Sequence, residues 1–131
     1  MVPNLYATIA NSPNTLPAYL AFDEALGKGV FTAKERQAIF LVVSQVNGCH
    51  YCQSAHTAIG KMNGYTEEET IQLRTATIAD KKLNALTSLA AEITRNRWQT
   101  LAASIGQIFS RWVWCRCISR VSGSHRVQNR C

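Results

Sequence analysis

The sequence lacks any run of about 18 uninterrupted apolar residues, which excludes a membrane-spanning helix. It also lacks a positive charge ahead of an apolar stretch in "MVPNLYATIANSPN". The N-terminus therefore does not read as a signal peptide, and the cytoplasm is the expected compartment. Strand signals are nearly absent and no internal repeat is present. Charged residues are few, 17% against 47% hydrophobic, and that balance excludes a disordered composition. A chain of 131 residues suffices for one cored domain and is short for two.

Acidic residues are missing from one part of the chain altogether. Residues 93–131 hold seven Arg with no Lys, Asp or Glu, a charge of +7. Residues 1–92 hold five Lys and two Arg against eight acidic groups, a charge of −1. The net +6 thus belongs to the C-terminal segment, and an argument for a nucleic-acid partner concerns that segment and not the domain.

What is present is helical patterning. In "LPAYLAFDEALG", Leu16, Tyr19, Leu20 and Leu26 lie along one side and Gly27 follows, which predicts a short amphipathic helix with a glycine stop. Thr32 and Glu35 have the spacing of a capping box before the apolar run Ala38–Val43. That run predicts a helix buried nearly all round and closed by Asn47-Gly48. A third helix is expected from about Cys49 to Lys61. Thr66 and Glu69 repeat the capping box before a fourth, and Asp80 caps a fifth. Leu83, Leu86, Leu89, Ala90 and Ile93 keep helical spacing along that fifth helix. The expected fold is all-α.

Chemistry is concentrated in "VNGCHYCQSAH", Val46 to His56. At ~100° per residue Cys52 lies ~60° from Cys49, and His56 ~20° from it on the other side. All three share one helical face, at a helix start. Free amides and the positive dipole end of a first turn stabilise a thiolate there. A second sulfur three residues away can resolve an oxidised first one, and an imidazole one turn beyond Cys52 can move protons. Two weaker readings accompany this one. Structural zinc takes four ligands, and His50 supplements Cys49, Cys52 and His56 only by pointing off the shared face. The cysteines also serve as small apolar residues in many cores.

Across "KERQAIFLVVSQVNGCHYCQSAHTAIGKMNGYTEEE" the chain resembles the AhpD-like alkylhydroperoxidase and carboxymuconolactone decarboxylase family, in its peroxidase-related branch. The resemblance covers about residues 1–96. It implies an all-helical domain that assembles as a trimer or hexamer and reduces hydroperoxides without a bound cofactor. A dithiol or dihydrolipoyl-type protein would then re-reduce the disulfide. It implies Cys52 as the peroxide-attacking sulfur, Cys49 as the resolving one and His56 as a proton relay. Gln37 stands where the family carries a relay glutamate, and glutamine accepts no proton at neutral pH. Tyr51 stands where some members carry a histidine, and is a candidate helper for His56. Glu35, ~200° from Gln37 on the helix, reads as a capping residue. The implied activity is that of a peroxiredoxin-type oxidoreductase, slowed by Gln37. The decarboxylase branch needs no cysteine pair. A non-enzymatic, redox-sensing helical oligomer is the remaining alternative.

The resemblance stops near Asn96. Residues 97–131 carry all three Trp and three of the five Cys, and form an atypical segment. A reading-frame change in the coding sequence produces such a shift; an arginine-rich nucleic-acid arm is the functional alternative. Trp98, Leu101, Ala102, Ile105, Ile108, Phe109, Trp112 and Val113 still keep a helical stripe, which favours packing over base stacking. That stripe adds to the expectation of a homo-oligomer, since it leaves apolar surface open in a monomer. Beyond Ser119 the composition predicts disorder. Cys115, Cys117 and Cys131 have no counterpart in the family, and His125 reads as solvated.

Overall fold

Helices in this chain begin and end where backbone amides find local partners. A computed structural model describes residues 3–96, and these hold six helices and no strand. The expectations for Trp98–Val113, for the stretch after Ser119 and for the three C-terminal cysteines lie outside the described residues. The chain divides into two units, Met1–Thr32 and Ala33–Cys131.

The first unit contains α1 (Asn4–Ile9) and α2 (Thr15–Gly27). The Tyr6 and Tyr19 rings meet at 6.1 Å. Neither helix has a buried residue. The expected stripe on α2 therefore forms without being covered: Tyr19, Leu20 and Leu26 are exposed. Two short helices enclose too little volume to bury such a stripe. The helix ends at the expected glycine, though not through a left-handed glycine cap. Gly27 is the last helical residue, and the cap is Lys28 in right-handed geometry, its amide reaching the Ala25 carbonyl while the Gly29 amide reaches that of Leu26.

In the second unit α3 (Ala33–Val46) is central and packs against α4 (His50–Met62), α5 (Glu67–Thr75) and α6 (Lys81–Arg95). No residue from Glu35 to Ser44 is exposed, as its apolar run predicts. Ala38 and Leu41 of α3 join Tyr65, Leu73 and Ile78 in the core, with Leu83 packed against it. Thr70 and Thr87 are fully buried, each hydroxyl donating to a carbonyl of its own helix. Glu35 is buried and ion-paired with Lys82, which fastens α6 to α3. Tyr65 donates its hydroxyl to the Lys34 carbonyl, with the Lys34 ammonium 4.4 Å above its ring. Burial and the Glu69, Glu35 and Asp80 carboxylates push that phenol up to about 12.

One turn type closes three of these helices. The amide after the left-handed residue bonds five residues back, and the amide of the left-handed residue itself bonds three back. At α3 these are Cys49 to Ser44 (3.0 Å) and Gly48 to Gln45 (3.1 Å). At α4 they are Tyr65 to Gly60 and Gly64 to Lys61, and at α5 Thr77 to Gln72 and Ala76 to Leu73. The left-handed residues are Gly48 (φ 64°), Gly64 (φ 89°) and Ala76 (φ 55°). A Cβ is disfavoured there, so glycine suits the first two positions and alanine is strained at the third. New helices start almost at once. The Thr66–Glu69 capping box forms in both directions, and Asp80 accepts from the Leu83 amide at 2.8 Å.

Candidate active site

The residue that completes the turn after α3 is also the one that caps α4. Cys49 has extended backbone (φ −81°, ψ 90°), donates its amide to Ser44, and accepts the Cys52 amide on its sulfur at 3.2 Å. Its carbonyl accepts the Gln53 amide at 2.9 Å, the first bond of the helix. This corrects the expectation that Cys49 lies within the helix. The ~60° separation read from helical phase does not describe it. The capping turn, and not helical phase, brings the sulfurs together, and Cys49 and Cys52 are joined in a disulfide with 5.3 Å between their Cα atoms. Both cysteines are half-buried.

His56 lies on α4 one turn beyond Cys52, as expected. Its Nδ1 is 3.0 Å from Gln37 Oε1 on α3, and its ring stacks on Phe40 at 4.7 Å and 25°. Burial lowers the His56 pKa below the ordinary imidazole value, so the ring is neutral at pH 7. The expected residues Cys49, Cys52, His56 and Gln37 thus sit along the α3–α4 seam. Tyr51 does not join them by helical phase: it lies ~140° from His56 around α4 and is exposed. His50 is exposed on α4. Among the described residues no group of three or more His, Cys, Asp or Glu is arranged to hold a metal ion.

Three contributors escaped the sequence reading. Phe40 supplies the flat surface under His56. Ser44 accepts from Cys49 and from Gln53 Nε2 through its carbonyl, while its hydroxyl donates to the Phe40 carbonyl at 2.6 Å. Arg74 of α5 donates to the Thr57 hydroxyl, next to His56. A signal existed for the first two. Phe40 and Ser44 follow Gln37 by three and seven residues, the spacing of one helical face. Arg74 carried none, because its reach depends on how α5 packs.

These elements define a class: a small all-helical protein with a disulfide-forming cysteine pair at a helix start and a neutral histidine one turn on. A family model, the carboxymuconolactone decarboxylase family, matches residues 13–95. The chain belongs to that family, as the motif segment led us to expect. No curated protein and no solved structure matches the chain. Among the described residues no helix is long and apolar enough to cross a membrane.

Proposed function

We propose that the protein is a dithiol peroxidase, an alkylhydroperoxidase-like oxidoreductase of the peroxiredoxin type. The observation that carries this reading is the Cys49–Cys52 pair in bonding distance at the start of α4, with a neutral, half-buried His56 beyond it. In the cycle, the Cys52 thiolate attacks one peroxide oxygen and the O–O bond breaks. The sulfur becomes a sulfenic acid and the other oxygen leaves as an alcohol after gaining a proton. Cys49 then displaces water from that sulfenic acid, forming the disulfide. A dithiol, of the dihydrolipoyl type or on another protein, returns two electrons and regenerates both thiols. Cys49 suits the resolving role because the Cys52 amide holds its sulfur beside Cys52. No cofactor enters the cycle.

A cycle ending in a disulfide needs reducing dithiols around it, which favours the cytoplasm. Tyr51, Ile59, Met62 and Ile71 of the second unit and Leu5, Tyr19, Leu20, Phe22 and Leu26 of the first are exposed. Such exposed apolar surface supports a homo-oligomer, and the family resemblance implies a trimer or hexamer. Neither a nucleic acid nor a membrane is part of the reading. The decarboxylation in the family's name is redox-neutral and gives paired sulfurs no task.

The test is peroxide consumption with a small dithiol as donor. The parent chain turns over. Cys52→Ser abolishes consumption, and Cys49→Ser permits a single turnover that leaves a trappable sulfenic acid. If Cys52→Ser consumes peroxide as fast as the parent, the reading fails. A Cys52 thiol pKa at or above the ordinary value of about 8.5 favours the inert or sensing alternative.

A further inference from the structure

The ring of His56 has two nitrogens, and the structure fixes what one of them does. Nδ1 lies 3.0 Å from the amide oxygen of Gln37. An amide oxygen only accepts hydrogen bonds, so the nitrogen facing it must carry the hydrogen. In the neutral ring the lone pair then falls on Nε2. Stacking on Phe40 at 4.7 Å and 25° restrains the ring plane, so the ring cannot tilt freely to exchange the two nitrogens.

We propose that Gln37 is a positioning residue that locks His56 as the Nδ1–H tautomer, leaving Nε2 as the single atom through which protons enter and leave the ring. The proposal rests on the peroxidase reading for its chemical consequence, but the tautomer itself does not.

The consequence is a change in proton route. A carboxylate at position 37 would take the Nδ1 proton, so that a proton could enter the ring at Nε2 and leave at Nδ1. The amide of Gln37 has no such capacity, and that exit is closed. Nε2 takes the Cys52 thiol proton, giving an imidazolium and a thiolate. The thiolate attacks the peroxide, the O–O bond breaks, and the same Nε2 proton passes to the departing oxygen. The products are Cys52 sulfenic acid and an alcohol, with the ring neutral again. No proton crosses to solvent through α3. The ring therefore works as a shuttle at one atom, in place of a relay through two.

The surroundings fit a ring that spends most of its time neutral. On α3 the neighbouring charges are Arg36 and Glu35, the latter paired with Lys82 of α6. From α5, Arg74 hydrogen-bonds Thr57, the residue after His56. On α4 the nearby cysteines are tied in the disulfide, and His50 is exposed. Burial is the cause that lowers the ring's pKa.

Long-range 1H–15N NMR of the full chain reads the tautomer directly, with His56→Asn assigning its signals among those of His50 and His125. The parent chain should show Nδ1 protonated and Nε2 bare above pH 7. Gln37→Leu, which keeps the bulk and removes the acceptor, should shift the ring toward a mixture of both tautomers. Gln37→Glu, which restores an acceptor and adds a charge, should keep the Nδ1–H form and raise the His56 pKa by about one unit or more. An Nε2–H ring in the parent, the result of a Gln37 amide turned the other way, overturns the proposal. So does a tautomer that Gln37→Leu leaves unmoved. Loss of peroxide turnover with the tautomer pattern intact would instead defeat the peroxidase reading alone.

Discussion

Gly60 occupies the last turn of α4 and is fully enclosed, yet its backbone does not need to be glycine. A methyl built there would meet Tyr65 Cδ2 at 3.6 Å and both Leu41 Cδ1 and Thr70 Cγ2 at 3.7 Å. All three are ordinary van der Waals contacts, so the site has room for one carbon. Glycine in a helix costs about 0.8–1 kcal/mol relative to alanine, somewhat less near an end. Burying one methyl adds about 0.8 kcal/mol. Gly60→Ala should therefore stabilise the protein by about 1 kcal/mol or slightly more. In a unit of this size that raises Tm by roughly 4–8 °C per kcal/mol. Urea titration followed by circular dichroism is the check, with the midpoint rising and the slope unchanged. Peroxide consumption should not change, since the added methyl meets Tyr65, Leu41 and Thr70 and not the His56 ring. A loss of 1 kcal/mol or more would mean that α4 sits closer to α3 and α5 than described. That result would undo the seam on which the whole site is argued.

Ala76 presents the opposite case. Its φ of 55° costs an L-residue about 1–2 kcal/mol, so Ala76→Gly should gain about 0.5–1 kcal/mol once the freer unfolded chain is counted; thermal unfolding decides. Asp80→Ala removes the acceptor for the Leu83 amide and should cost about 1 kcal/mol, as should Thr66→Ala, both read from urea midpoints. Lys82→Met leaves the buried Glu35 carboxylate without this cation. We expect a loss of about 1–2 kcal/mol, discounted because the Lys82 side chain is 40% exposed, and an equal or greater stability there refutes the pairing. For His56 the folded pKa is lowered, so the unfolded chain binds the proton more readily. The stability it permits is complete above the unfolded value of about 6.5 and is lost as pH falls through the folded one. The stability difference between the parent and His56→Asn should accordingly move against the parent below pH 6.5, measured by denaturant titration at stepped pH.

Local signals in the sequence determined most of the helical frame. The Thr66–Glu69 box, the Asp80 cap and Gly48 act within six residues of themselves, and each is found at work where the pattern placed it. The cysteine motif and its histidine were legible for the same reason, since an i, i+4 pair on one helix needs no tertiary contact to be neighbours. Failures came where the outcome depends on what lies across a gap. An apolar stripe on α2 announces a buried face but cannot supply the partner to bury it. Cys49 looks helical by spacing, yet it must also finish the turn after α3, and that second duty draws its backbone out of the helix.

Only packing decided the rest. Gln37 and His56 are 19 residues apart, and nothing in their separation says that an amide oxygen will meet an imidazole nitrogen. That meeting requires α3 and α4 to run back against each other, which the tight turn at Asn47-Gly48 allows and the shared core enforces. The sequence determined which groups are available for proton and electron transfer. The tertiary structure decided which ring nitrogen is held, because a hydrogen bond across two helices depends on their separation and not on either helix alone.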